Sequence, residues 1–164
     1  MGPSFTPRLL HDVATRLTEP AEVVEAFLAA LAANDFRTAA DLLDEHVKYV
    51  NVGLPAIHGR HRTIGLLKPL ARPGARFEVY LHAAAANGPT VLTDRTDVLV
   101  FGRLRLQFWV AGRFDVVDGR ITLWRDSFDY VDVLRSVVRG VAGAVVPALR
   151  PAAPSAPDTQ PGRH

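Results

Sequence analysis

The sequence contains no cysteine, so disulfide bonds, thiolate nucleophiles and cysteine-ligated zinc are all excluded. Lysine is almost absent too, since Lys48 and Lys68 are the only lysines, and the formal net charge is +2. Nucleic-acid binding needs basic residues concentrated on one face, and the scattered arginines offer none, so we expect no nucleic-acid partner. No apolar stretch is long enough to span a membrane. Residues 1–19 also lack the pattern of a secretory signal, which predicts a cytoplasmic protein.

A chain of 164 residues with 48% hydrophobic residues and a mean hydropathy of +0.09 suits one domain with a single core. We expect this domain over residues 19–146, after a flexible leader at residues 1–18. Residues 147–164 are rich in proline and alanine. Because such a segment buries too little apolar surface to offset the entropy lost on ordering, it is predicted to be a disordered tail.

Helical periodicity comes first along the chain. A first helix is predicted from an N-cap at Thr18 to residue 34, with one apolar face. That face consists of Val23, Val24, Phe27, Leu28 and Leu31. Asp35 is the predicted N-cap of the next, short helix. The remaining helices are predicted over residues 36–43, 62–67 and 131–146.

Alternation of apolar and polar residues then predicts strands, of which the last four follow one another without a helix between them. The five strands are predicted over residues 47–52, 76–84, 90–101, 104–117 and 120–128. Asp118-Gly119 predicts a tight hairpin, and Gly112 inside a strand predicts a bulge. Helices followed by consecutive strands indicate an α+β fold. We expect a strongly curved mixed or antiparallel sheet wrapped around the N-terminal helices as a cone, whose open end would hold a small molecule.

Polar residues occur in pairs, two positions apart, inside three of these otherwise apolar strands. The pairs are Tyr49 with Asn51, Arg95 with Asp97, and Trp124 with Asp126. Residues two apart in a strand share a face. Since Arg95 and Asp97 share theirs with Val91 and Leu99, we expect that face to point inwards.

Two buried carboxylates would be costly without compensation, and an arginine between them offers donors to both. Their mutual repulsion favours a shared proton, so that one member of the pair is an acid and the other a base. Such a pair is suited to opening an epoxide. The acid protonates the ring oxygen while the carboxylate removes a proton from water. Tyr49 and Asn51 would hold that water.

These polar residues also have simpler interpretations. Arginine–aspartate pairs on strands are often surface ion pairs, but three polar pairs on three apolar strands argue for a shared site. By the same alternation Asp94, Arg125 and Asp129 face the other way and are predicted to be solvated or to lie in an interface. His58 and His61 lack an acidic partner, so we expect no metal there.

Four segments together resemble the limonene epoxide hydrolase family. They are YVN at 49–51, VLTDRTD at 91–97, FDVVDGRI at 114–121 and WRDSFD at 124–129. The resemblance runs in register over about residues 21–130. Two departures, Asp94 in place of a common glutamate and Ser127 in place of a frequent aromatic residue, fall on faces that point away from the pair of carboxylates.

This resemblance implies a fold like that of nuclear transport factor 2, a homodimer, and no metal or cofactor. It also implies direct attack by water without a covalent ester. Asp97 resembles the general acid, Asp126 the general base and Arg95 the bridge between them. Tyr49 and Asn51 resemble the pair that positions the water.

The predicted function is hydrolysis of a lipophilic epoxide to a vicinal diol. We expect an apolar substrate pocket, and its predicted wall includes Leu99, Phe108, Trp124 and Phe128. Phe108 and Trp109 alternate, so only one of them can line it. A terpene-like, sterol-like or fatty epoxide fits this wall. Two alternatives stay open: a proton-shuttling isomerase or cyclase in the same pocket, and a non-catalytic module that binds lipophilic ligands.

Overall fold

The computed structural model describes residues 19–149 and residue 152, and its centre is one six-stranded sheet with the strand order β2-β1-β6-β5-β4-β3. The strands are β1 (Leu43–Asn51), β2 (Ile57–His58), β3 (Ala75–Asn87), β4 (Thr90–Phe101), β5 (Leu104–Val117) and β6 (Arg120–Ser127). The helices are α1 (Pro20–Ala32), α2 (Phe36–Asp41), α3 (Arg60–Leu67) and α4 (Tyr130–Val145). β1 pairs with β6 in parallel and every other pairing is antiparallel. The predicted α+β class is confirmed.

The apolar face of α1 forms the core of the cone. Its five predicted core residues are all buried, and the Phe27 ring meets Trp124 of β6 edge-on at a centroid distance of 5.0 Å. The helix begins at Pro20, where proline is well tolerated. Its N-cap is Glu19, which makes no side-chain capping bond. Thr18, the predicted cap, lies outside the described residues.

The second helix is shorter than predicted. Its cap is confirmed, because Asp35 accepts a hydrogen bond from the Thr38 amide at 3.0 Å. The helix ends at Asp41, and Leu43 already pairs with Ile121 of β6 as the first residue of β1. The Leu42 carbonyl accepts from the Ile121 amide at 2.9 Å. Pairing with a strand far along the chain therefore ends the helix and starts β1 four residues before its predicted beginning at residue 47.

The long strands follow the predicted pattern closely. β4 and β5 have their predicted bounds, β3 extends three residues further than predicted, to Asn87, and β6 ends at Ser127. The hairpin between β5 and β6 is confirmed, since Asp118 and Gly119 have φ angles of 51° and 71°, as a type I′ turn requires.

The bulge predicted at Gly112 is wrong. The β4–β5 pairing runs without a break through Thr93 and Gly112. The register instead shifts in β3, between Leu81 and Ala83, and in β5 between Asp115 and Val116. A bulge therefore does not explain why residue 112 is a glycine.

The last helix, α4, packs on the beginning of β5 through small residues. A Cβ atom at Gly140 would lie 2.7 Å from the Arg105 carbonyl oxygen and 3.0 Å from Leu104 and Leu106 side-chain carbons. Ser136 and Gly143 are buried on the same side. The opposite side of the helix is apolar and exposed.

The predicted leader at residues 1–18 lies outside the described residues, as does all of the tail except Pro147–Leu149, which form a 3₁₀ turn, and Ala152. No helix within the described ranges has the length and apolar character that crossing a membrane requires.

Candidate active site

Three strands of the sheet, the neighbours β1 and β6 and, beyond β5, β4, bring the five predicted catalytic residues together. Arg95 and Asp97 lie on β4, Asp126 lies on β6, and Tyr49 and Asn51 lie on β1. In the parallel register of β1 with β6, Asn51 is opposite Asp126, and Tyr49 is opposite Trp124. The residues thus share one concave face, as their period-two spacing requires.

Arg95 is the centre of the cluster and is fully buried. Its Nε donates to Asp97 Oδ1 at 2.9 Å, and its Nη2 lies 3.2 Å from Asp97 Oδ2. The same Nη2 is 2.7 Å from Asp126 Oδ2, and Nη1 donates to Thr93 Oγ1 at 3.3 Å. One guanidinium therefore contacts both carboxylates, and its remaining nitrogen is held by a buried threonine.

The surroundings of the two carboxylates work against their ionisation. Burial raises the pKa of Asp97 to about 6, although Arg95 opposes the rise. Burial raises the pKa of Asp126 as well, again against the attraction of Arg95. Burial lowers the pKa of Arg95, but the two carboxylates outweigh it and leave that pKa above its ordinary value. The arginine stays charged, so one proton shared by the carboxylates makes the cluster neutral.

One oxygen of this cluster, Asp126 Oδ1, is buried without a hydrogen-bond partner of good geometry among the described residues. The Trp124 Nε1 is also buried and unpaired, and the Trp124 side chain helps to lower the pKa of Asp126 against the effect of burial. A buried carboxylate oxygen without a donor is costly, and in a functional site it marks the place of a molecule that the protein binds. Asp126 Oδ1 thus keeps an unused capacity to accept a hydrogen bond, on a residue that lines the cavity.

A pair of polar side chains flanks Asp126 on the β1 side. The Asn51 amide Nδ2 donates to the Tyr49 hydroxyl at 2.9 Å, and that hydroxyl lies 3.2 Å from Asn51 Oδ1. Burial, followed by the charge of Asp126, raises the pKa of Tyr49. Tyr49 is therefore a neutral phenol, and its ring is fixed against Trp124 at a centroid distance of 4.1 Å.

The cluster opens into an apolar cavity of about 350 Å³. The structure places Leu99, Phe108, Trp124 and Phe128, the predicted wall residues, in its lining. Asp97 and Asp126 are the charged residues of that lining among those the structure describes. Trp109 lies on the outer face, where its Nε1 donates to Asp94 Oδ1 at 2.5 Å, so Phe108 is the member of its pair that lines the cavity.

Much of the cavity wall was missed by the sequence reasoning. Leu31 and Phe36 come from α1 and α2, Phe77 comes from β3, and Val110 comes from β5. The segment of α3 and the following 3₁₀ turn (Lys68–Ala71) contributes Leu66, Leu67, Pro69 and Leu70. The apolar residues of this short helix, which two prolines follow in the sequence, were the available signal for this part of the wall. They do not show which side of the helix faces the cavity.

His58 and His61 lie outside the cavity that Asp97 and Asp126 line. His58 and His61 line a separate surface cavity with Glu45 and Arg60. Within residues 19–149 and residue 152, no three histidine, cysteine, aspartate or glutamate side chains are grouped as a metal ion would require.

Comparison with known proteins gives three findings. Residues 18–139 match the family model described as the limonene-1,2-epoxide hydrolase catalytic domain. The chain is 50% identical over 128 residues to "Epoxide hydrolase EphG" of Mycobacterium tuberculosis. The aligned residues cover 77% of this chain and 85% of that protein. A solved structure of an M. tuberculosis LEH-like epoxide hydrolase superposes with a TM-score of 0.78 at 47% identity, over 83% of this chain and 96% of that one.

More distant structures share only the fold. An NTF2-like protein of unknown function from Cytophaga hutchinsonii aligns with a TM-score of 0.60 at 18% identity, over 71% of this chain and 95% of that chain. At this identity the likeness supports the predicted cone-shaped fold and carries no information about the reaction.

Proposed function

This chain belongs to the limonene-1,2-epoxide hydrolase family, and we propose that it adds water directly to a lipophilic epoxide to give a vicinal diol. One observation carries the proposal. A single buried guanidinium contacts two carboxylates, and Asp126 Oδ1 has no hydrogen-bond partner of good geometry among the described residues. The cluster therefore offers an acid, a base and a place for water within a few ångströms of an apolar cavity.

In the proposed reaction Asp97 is the general acid and Asp126 the general base. Asp126 takes a proton from water as the water oxygen bonds to one ring carbon. The carbon–oxygen bond of the ring breaks, and Asp97 gives its proton to the leaving oxygen, so the product is a neutral diol. The enzyme is left with its proton on Asp126. Return of that proton to Asp97 through water restores the starting state.

Tyr49 and Asn51 would fix the attacking water. The Tyr49 hydroxyl, which already accepts from Asn51 Nδ2, is a donor to a water lone pair, and Asn51 Oδ1 is an acceptor for one of its protons. The other proton then points to Asp126. Such positioning supplies part of the rate enhancement by removing the entropy cost of orienting the water. No step in this scheme uses a metal ion or a cofactor.

The cavity favours a neutral, apolar substrate of modest size. Its volume of about 350 Å³ is at the lower end of the range of ligand pockets. Asp97 and Asp126 line it, whereas Arg95 is fully buried behind them. An anionic substrate would lose its hydration in this apolar cavity without a compensating cation from the described lining. We therefore propose uncharged terpene-like or fatty epoxides as substrates.

A matched pair of substrates tests this proposal. For two cyclic terpene epoxides that differ only in a methyl ester or a free carboxylate near the ring, we expect kcat/KM for the ester to be higher by about tenfold or more, because burying a carboxylate without a cationic partner costs more than about 1.4 kcal/mol. The measurement is the initial rate of diol formation by chromatography at pH 7. Preference for the carboxylate would contradict the proposal of a neutral substrate, and failure to hydrolyse any epoxide would contradict the reaction itself.

We also propose that the enzyme is a homodimer, and that α4 forms the contact. Five apolar residues recur along its exposed side at intervals of three and four. They are Val131, Leu134, Val138, Val141 and Val145, each more than half exposed. This is the spacing of a helix that packs against another helix. The outer face of the sheet mixes exposed apolar residues, Leu92 and Trp109, with charged ones such as Asp94, Arg113 and Arg125.

The size of this stripe supports a second copy of the chain as its partner. Five contiguous apolar residues, each more than half exposed, make a patch comparable to the largest on typical monomers, which are roughly 300–600 Å². Two stripes packed together would bury about 1,000 Å², the lower bound for a specific interface. A two-fold axis would pair the stripe with itself.

Replacing Val138→Asp tests this contact. An unpaired carboxylate at the centre of the stripe should dissociate the dimer and lower its affinity by about 10²-fold or more. Sedimentation of the purified protein over a range of concentrations measures it, with Val117→Asp, an exposed valine at the other end of β5, as the control. A wild-type monomer at high concentration, or a Val138→Asp variant that dimerises normally, would contradict the proposal.

A further inference from the structure

One strand separates the proposed acid from the proposed base. In the order β6-β5-β4, Asp126 lies on β6 and Arg95 and Asp97 lie on β4, with the whole width of β5 between them. Adjacent strands are about 4.8 Å apart, so the Arg95 side chain must pass over β5 to bring Nη2 within 2.7 Å of Asp126 Oδ2.

Gly112 is the residue of β5 at this crossing. It is directly opposite Thr93 of β4 on one side and Asp126 of β6 on the other. A Cβ atom built at Gly112 would overlap with both Arg95 Nη1 and Thr93 Oγ1, and it would lie 3.0 Å from Phe114 Cε2. Real Cβ atoms do not approach other atoms so closely, so any side chain here would displace the guanidinium.

The backbone gives no other reason for a glycine. Gly112 is not among the residues with positive φ, so its conformation is open to other amino acids. It is paired in regular register on the β4 side and forms no bulge there. A glycine inside a strand weakens the strand unless a group approaches closely, and here the group that approaches is the Arg95 guanidinium.

We infer that Gly112 is a positioning residue. Because it has no side chain, it leaves space for Arg95 to cross β5 and reach Asp126. Arg95 thereby connects the proposed base with the proposed acid. The inference rests on the proposed function for its kinetic consequences. With a methyl group at residue 112, Arg95 keeps its contacts to Asp97 on its own strand, but it is pushed away from Asp126. Asp126 then loses the cation that opposes the rise of its pKa.

The kinetic test compares Gly112→Ala with Gly65→Ala, a control in α3 whose added Cβ meets nothing within 4 Å. We expect kcat of Gly112→Ala to fall by about 10²-fold, because a small displacement of a catalytic group has that effect. KM should change little, since Gly112 does not line the cavity. The acidic limb of the pH profile should move up by about one unit as Asp126 becomes harder to ionise. Gly65→Ala should retain wild-type values.

A stability test is independent of activity. If Gly112 serves to accommodate Arg95, Gly112→Ala lowers the midpoint of urea unfolding by clearly more in the wild type than in the Arg95→Ala variant, where Thr93 Oγ1 is the remaining close contact and is no longer held by Arg95. This double-mutant cycle, measured at pH 5, also applies if Gly112→Ala alone does not fold. In that case, the double variant should fold and should unfold at a urea concentration close to that of Arg95→Ala, because the Thr93 hydroxyl can rotate away once Arg95 no longer donates to it.

Two results would overturn the inference. One is a folded Gly112→Ala with wild-type kcat and an unmoved acidic limb. The other is a loss of stability in the Arg95→Ala background equal to that in the wild type. If the wild-type chain hydrolysed no epoxide, the proposed function would fail, and the double-mutant cycle would still decide whether Gly112 makes room for Arg95.

Discussion

Replacing Asp126→Asn should reduce kcat for diol formation on the order of 10³-fold, with little change in the fold. The asparagine has nearly the same shape and keeps an oxygen that accepts from Arg95 Nη2, which is 2.7 Å from Asp126 Oδ2 in the wild type. It cannot, however, take a proton from water, and a general base contributes about 10² to 10⁴-fold. Initial rates on a lipophilic epoxide measure the loss, and circular dichroism measures the fold.

The matched control is Asp94→Asn. Asp94 lies on β4 beside Arg95 but on the outer, exposed face, where it accepts from Trp109. The same chemical change there should leave kcat within about twofold, because the site does not include Asp94. Retention of more than a tenth of the activity by Asp126→Asn would show that another group is the base.

The Arg95→Ala variant should lose stability as well as activity. It removes the cation from two carboxylates that are each about 5% exposed, and breaking a buried ion pair typically costs about 3–5 kcal/mol. We expect kcat to fall on the order of 10³-fold at the same time, since neither carboxylate is then held in place. Urea unfolding and initial rates measure the two effects.

The loss of stability in Arg95→Ala should depend on pH in a defined direction. Burial already raises the pKa values of Asp97 and Asp126, and without the arginine both rise further. A carboxyl with a higher pKa in the folded than in the unfolded state stabilises the fold at low pH, and that stability is lost as pH rises through the folded pKa. The deficit should therefore be smaller at pH 5 than at pH 8.

Arg113→Ala is the control for this variant. Arg113 forms an ion pair with Asp115 at 3.2 Å with the same two-residue spacing, but it lies on the exposed face of β5. An exposed pair contributes at most about 1 kcal/mol, so this substitution should have little effect at either pH. An equal loss of stability in both variants would mean that Arg95 is not the buried centre of the cluster.

The site could be located from the sequence because its residues lie on strands. Period two fixes which side chains share a face, so the pairs at Tyr49, Arg95 and Trp124 could be assigned to one side without knowing the sheet order. The bounds of β4 and β5 were also predictable, because Gly102 and Asp118-Gly119 mark their ends with turn residues.

Other features depend on contacts between distant parts of the chain. Leu43 was predicted in a helix, but its pairing with Ile121 makes it the first residue of β1. Local sequence propensity does not indicate a pairing with such a distant strand. Leu66, Leu67 and Leu70 line the cavity only because of how α3 packs. A glycine inside a strand can mark either a bulge or the close approach of another group, so the sequence alone did not distinguish the two at Gly112. The contact with the Arg95 guanidinium of β4 depends on the three-dimensional structure.

The most direct test of the account is a single turnover in ¹⁸O-labelled water, with enzyme in excess over a lipophilic epoxide. Water that attacks the ring carbon directly carries its oxygen into the first diol formed, so we predict one ¹⁸O atom per diol by mass spectrometry and none in the protein. An unlabelled diol from the first turnover, with ¹⁸O later found in an aspartate, would show that a carboxylate attacks instead. An unlabelled rearranged or cyclised product would show that no water is added, and would contradict hydrolysis altogether.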